Sequence, residues 1–121
     1  MPARSNQSSR CLPRCLSLKQ RRAIEDVVQR GRTLRGAAAT FRWQPADRFG
    51  YVVVVGRRHG HAARRNRIKR LLREALRLNR HRLTREVRIA VLPRLYGDAL
   101  RFDILHAEFG RIFEAINRHA D

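Results

Sequence analysis

Arg65, Asn66 and Arg67 stand together inside the stretch ARRNRIKRLLREALRLNR at positions 63–80. Two guanidinium groups flanking a carboxamide can engage two phosphates and still offer a donor and an acceptor to a base or sugar edge. Nine Lys and Arg and a single acid occupy positions 64 to 82. With Arg57 and Arg58 just upstream, the candidate anion-binding set is Arg57, Arg58, Arg65, Asn66, Arg67, Lys69, Arg70 and Arg73. At ~100° per residue, Ile68, Leu71, Leu72, Ala75 and Leu78 form one apolar stripe of a helix. Asn66, Lys69, Arg70, Arg73, Arg77 and Arg80 gather opposite it. Glu74 can pair with Arg70 or Arg77, but such a pair contributes only ~0.2–0.5 kcal/mol. One acid cannot balance that field. A phosphate backbone can, with counterion release adding affinity, and the free N–H groups at the helix start favour anions as well.

Other chemistries fit less well. The ten acids are scattered, with no recognisable two-metal cluster, and Glu25 and Asp26 diverge on a helix. No residue is expected to be catalytic and none to bind a metal. His59 and His61 flank Gly60, which places them in a turn beside RNA with His61 near the helix N-cap, rather than in a metal or acid–base pair. Cys11 and Cys15 lack partners for zinc. Trp43 as a stacking platform competes with Trp43 as core or cleft wall; its phase with Ala37, Ala39 and Phe41 favours the latter.

These residues must be positioned by a small frame. The chain has 121 residues, 43% of them hydrophobic, enough for one domain with a modest core. Its 28 Lys and Arg against 10 Asp and Glu give a formal charge of +18, which points to a polyanionic partner. Twenty-six of those cations are Arg, the residue suited to phosphate forks and base stacking; a G+C-rich genome bears on that ratio but not on the net charge. No apolar run reaches the ~20 residues a membrane span needs, so no membrane role is expected. Residues 1–17 read as a flexible basic arm, and the two cysteines there point to a reducing, cytosolic setting.

The remainder, 18–121, reads as one domain. Residues 18–32 form a short amphipathic helix with Ile24, Val27 and Val28 at helical spacing, ended by Gly31. Residues 33–43 read as one strand, with Phe41 and Trp43 facing one way and Thr40 and Arg42 the other. Residues 49–56 suit a central strand buried on both faces. The basic helix follows, from about Ala62 to Arg80. Residues 86–93 give a third strand, and a final helix from Asp103, its expected N-cap, turns Leu105, Phe109, Ile112, Phe113 and Ile116 inward. The predicted fold is α+β: a single two-layer α/β sandwich in the order α-β-β-α-β-α, with a βαβ unit around the basic helix.

The string RRHGHAARRNRIKRLLREALR closely resembles the signature of the bacterial ribonuclease P protein component. The matching positions are Arg57-Arg58, Gly60, Arg65-Asn66-Arg67, Lys69-Arg70 and Arg73-Glu74, and the resemblance extends over about residues 12 to 118. It implies a subunit that binds a large catalytic RNA and helps it remove the 5′ leader from precursor tRNA. In that family the RNA performs a Mg²⁺-dependent hydrolysis, with Mg²⁺ held mainly by the RNA. The resemblance also implies a left-handed crossover in the βαβ unit, against the usual rule. The setting expected from the cysteines is cytoplasmic, and no obligate protein partner is evident in the sequence. A leader cleft over the sheet is implied too, for which Ile24, Val28, Phe41 and Trp43 are the candidates here. The sequence departs from the family pattern at Gly56, where Ser is usual, at His59, where Val is common, and at Ile24 and Val28, where Phe is usual. A structural RNA-binding protein of ribosomal type, with no tie to cleavage, is the alternative that composition leaves open.

Overall fold

The computed structural model describes residues 21 to 119. The expected arm of residues 1–17, with Cys11 and Cys15, lies outside them. The elements are α1 (Arg21–Arg30), β1 (Arg32–Arg35), β2 (Ala39–Pro45), β3 (Gly50–Val53), α2 (Ala62–Asn79), β4 (Val87–Pro93) and α3 (Phe102–Arg118). Short 3₁₀ turns at Arg57–His59, Arg80–Arg82 and Gly97–Ala99 join them.

The strands form one sheet in the order β1-β2-β4-β3. β1 and β4 each run antiparallel to β2, and β3 runs parallel to β4. The expected single strand over 33–43 is therefore two strands of a hairpin. The break falls at Gly36, whose N–H donates to the Ala39 carbonyl at 2.8 Å, and four strands replace the three expected. The apolar run at 49–56 is also corrected. β3 is an edge strand of four residues, and β2 and β4 hold the centre. Its valines are buried on one side only, because α2 covers one face while Val52 and Val54 stay half-buried on the other.

Register assigns the two faces. Trp43 pairs with Ile89 and Ile89 with Tyr51; Phe41 pairs with Val91 and Val91 with Val53. These side chains share one face and enter the main core with Leu72, Leu76, Leu105, Phe109 and Phe113 of α2 and α3. Phe41 meets Phe109 edge-on, centroids 5.0 Å apart, an arrangement that adds to the burial of both rings. All five residues expected to face inward from the last helix are buried. The helix starts two residues earlier than that cap would set, however. Arg101 holds the N-cap position without a side-chain cap, and Asp103 lies in the first turn, ion-paired to Arg101 at 3.2 Å. Asp103 is thus not the N-cap.

The short α1 lies on the reverse face. Gln44, which alternates away from Trp43, donates to Asp26 of α1 at 2.8 Å. Val27 and Ala90 are fully buried yet stand outside the main core cluster. No helix among the described residues is long and apolar enough to cross a membrane.

Candidate nucleic-acid interface

The basic helix is as long as its sequence periodicity requires, and its inward stripe is buried at Ile68, Leu72, Ala75, Leu76 and Asn79. The stripe is rotated from the expected one. Leu78 is exposed and Leu71 half-buried, while Leu76 and Asn79 are the buried positions the periodicity missed. The cause is α3: Asn79 is fully buried because its Nδ2 donates to the carbonyls of Ala75 and His106, at 2.9 and 3.0 Å, tying α2 to α3. A polar residue on the core side satisfies its donors and turns the helix toward its neighbour.

The start of α2 is built by the connection before it. Arg57, Arg58 and His59 form a 3₁₀ turn, and Gly60 follows at φ 106°, a conformation that favours glycine. His61 then holds the N-cap, with its Nδ1 facing the Arg64 N–H at 3.4 Å, as its position in the sequence suggested. This turn leaves Arg57 and Arg58 exposed shortly before the start of α2.

Of the remaining expected contact residues, Asn66, Arg67, Arg70 and Arg73 are exposed and Lys69 is half-buried. Arg65 is half-buried, and its Nε is enclosed with no hydrogen-bond partner among the described residues. Arg80, expected on the outer ladder, belongs instead to the fold. Its guanidinium lies 4.2 Å from the Phe49 ring centroid and 3.9 Å from Glu86. Burial holds its pKa below the ordinary arginine value, with the Glu86 charge opposing that shift. Arg77 is ion-paired to Glu74, the one acid on the helix. The hydrogen bond from Arg77 holds the Glu74 carboxyl below its ordinary pKa; burial opposes it, and the Arg77 charge adds to it. Glu74 is therefore engaged, and the cations toward the helix start are left unneutralised by it.

A groove of about 1170 Å³ runs along this helix. Tyr51, Ile68, Leu71 and Leu100 give it apolar walls, and Arg64, Arg67, Arg70, Arg73 and Arg77 line it with charge. Tyr51, Leu100 and the turn at Gly97 reach it only through the fold.

The four residues expected to line a leader cleft separate. Ile24 and Val28 are half-buried on α1. Phe41 and Trp43 are 0% and 1% exposed, in the core under α3, on the opposite face of the sheet. Trp43 contacts the His119 ring edge-on and the Arg32 and Arg85 guanidiniums. Neither ring can offer a face to a base, which corrects their assignment as cleft residues. Register puts Thr40, Arg42, Val52, Ala90 and Leu92 on the α1 side instead. The alternation within β2 already set Thr40 and Arg42 apart from Phe41 and Trp43; only the position of α1 turns that difference into a surface. Arg42 is half-buried there, its Nε without a hydrogen-bond partner among the described residues.

A family model described as Ribonuclease P matches residues 12–117. The chain belongs to the ribonuclease P family. Relatives described as ribonuclease P protein components carry the similarity at sequence level. The Thermus oshimai protein is 41% identical over 81 residues, 61% of this chain and 54% of the relative. The Thermus scotoductus protein is 47% identical over 62 residues, 51% of this chain and 38% of the relative. The Coprothermobacter proteolyticus protein is 37% identical over 81 residues, 67% of each chain. The matched stretch thus spans about two-fifths to half the length of the two Thermus relatives. Solved ribonuclease P proteins share the fold. That of Staphylococcus aureus superposes with a TM-score of 0.68 at 17% identity, over 91% of this chain and 98% of that one. That of Thermotoga maritima gives 0.65 at 24%, over 85% and 99%. The four-stranded α+β architecture derived from the register is the architecture of the ribonuclease P family.

Proposed function

We propose that this protein is the RNA-binding subunit of a ribonuclease P ribonucleoprotein, acting in the cytoplasm on the 5′ leader of precursor tRNA. The observation that carries the reading is the start of α2. There Arg57, Arg58, Asn66, Arg67, Arg70 and Arg73 are all exposed, and the helix's one acid is already paired with Arg77. Such a surface suits a folded RNA, whose phosphates need cations spread over a rigid frame, and membership of the ribonuclease P family supports the ribonuclease P RNA as that partner.

On this reading the two sheet faces divide the work. The face under α2 and α3 holds the core and sets the basic helix against the catalytic RNA. The reverse face, beside α1 along the half-buried Arg42 and Val52, takes the single-stranded leader. Ile24 and Val28 give that channel apolar contact, and Arg42 supplies a cation for a leader phosphate. With Phe41 and Trp43 in the core, leader bases meet aliphatic rather than aromatic walls, which favours loose sequence preference.

Mg²⁺ belongs to the RNA in this scheme. No group of three or more His, Cys, Asp or Glu that could hold a metal occurs among the described residues. The acids near α2 are engaged: Glu74 with Arg77, and Glu86 with the Phe49 N–H and Arg80. On this reading the chain's contribution is to bind, orient and neutralise.

The deciding experiment is cleavage of precursor tRNA by the catalytic RNA at low Mg²⁺, with and without the protein. Stimulation is expected, because added cations substitute for part of the metal-ion screening the RNA otherwise requires. No stimulation would defeat the reading, as would cleavage by the protein alone.

A further inference from the structure

We propose that Tyr96 is a stacking platform for an unpaired base of the RNA docked on α2; this deepens the reading above and rests on it. The Tyr96 ring lies against the His59 ring with centroids 4.5 Å apart and planes 28° from parallel. His59 is 7% exposed, whereas Tyr96 is 48% exposed. The His59 Nδ1 is buried with no hydrogen-bond partner among the described residues, so ring contact rather than a polar bond holds it there. One face of Tyr96 is thus backed by a fixed aromatic ring, and much of the rest stays in water.

A single exposed tyrosine is ordinary on a protein surface. Its surroundings set this one apart. His59 belongs to the turn that carries Arg57 and Arg58, so the stack adjoins two exposed cations. Gly97, the next residue after Tyr96, has φ 58° and lines the arginine groove along α2. The chain therefore turns sharply beside the ring, and the residue that follows it reaches that groove. An open aromatic face beside a cationic track is the combination that binds single-stranded nucleic acid: phosphates follow the charges and a base lies on the ring. A regular duplex would engage the arginines but has no free base face to give.

The test uses the full chain, a short single-stranded RNA carrying 2-aminopurine at successive positions, and a blunt duplex of the same sequence. The wild-type protein should quench 2-aminopurine at one or a few positions. Tyr96→Phe should bind the single strand within about twofold of wild type, since the face is kept. Tyr96→Leu keeps an apolar cover over His59 but removes the face. It should weaken single-strand binding by about fivefold to a hundredfold, with duplex affinity and salt dependence unchanged. Equal weakening toward duplex and single strand, full affinity in Tyr96→Leu, or no quenching by the wild type would each overturn the platform. Arg67→Ala separates this proposal from the docking reading. If it flattens the salt dependence while Tyr96→Leu has no effect, docking stands and the platform falls. If wild type binds neither RNA at moderate salt, both fall.

Discussion

The carboxylate of Glu108 fills the space where a side chain on Gly36 would stand. Glu108 is 1% exposed on α3, and its oxygens accept from the Ala38 N–H at 2.9 and 3.1 Å and the Ala39 N–H at 3.0 Å. One buried charge thus fastens the β1–β2 hairpin to the last helix, with Arg111 3.8 Å away at the surface. Glu108→Ala should cost about 1–3 kcal/mol for each backbone donor it abandons, read by urea denaturation. Glu108→Gln keeps one acceptor oxygen and should recover part of that loss. Gly36→Ala should also destabilise, because the new Cβ must displace the carboxylate from both donors. RNA affinity per folded molecule should be unaffected in all three.

Arg67 and Arg65 should behave differently. Arg67 is exposed, so Arg67→Ala should leave stability within about 0.5 kcal/mol and flatten the salt dependence of catalytic-RNA binding by about one counterion unit. Arg65 is half-buried with its Nε unsatisfied, so Arg65→Ala removes a cation and also a buried unpaired donor. Its salt dependence should fall equally, while thermal stability holds or rises slightly. Loss of folding in Arg67→Ala would contradict its placement.

Trp43, the single tryptophan of the chain, reports on the core. Its emission should resist acrylamide quenching and change little when RNA binds, then shift to the red on unfolding. Trp43→Ala should cost about 3–5 kcal/mol. A Trp43 emission quenched by leader RNA would put the ring back in the cleft and overturn its place under α3.

Glu74 gives an acid-side signature. Its pKa is lowered in the folded chain, so its contribution is present above the ordinary glutamate pKa and is lost as pH falls through the folded-state value. Glu74 is exposed and Arg77 only half-buried, so the contribution is small, ~0.2–0.5 kcal/mol. Glu74→Gln should lower the Tm by about 1–3 °C at neutral pH and by nothing at pH values below both pKa values. An equal loss at both pH values would assign the effect to packing instead of charge.

The basic helix was legible in the residue string, and so was the charge on which the proposed polyanionic partner rests. Helical spacing sorts apolar from cationic positions within one element, and the net charge needs no contact map to imply a polyanion. The identity of the last helix's buried residues was legible for the same reason. The hairpin break at Gly36 was not. A strand of alternating residues reads the same whether or not it folds back, and the signal that decides it, Glu108, lies about seventy residues away. The edge position of β3 was hidden because strand order comes from pairing between distant segments, and an apolar run shows burial without saying from which side.

The sequence by itself determined a strongly cationic, Arg-Asn-Arg-bearing helix in a small α+β domain, because charge and periodicity are local properties of the chain. Tertiary structure alone decided which face each residue serves. It put Phe41 and Trp43 under α3, Arg80 against Phe49, Asn79 between two helices and Tyr96 on His59. Those outcomes depend on where a second element, remote in sequence, meets the first, and that meeting is set by packing the whole core at once.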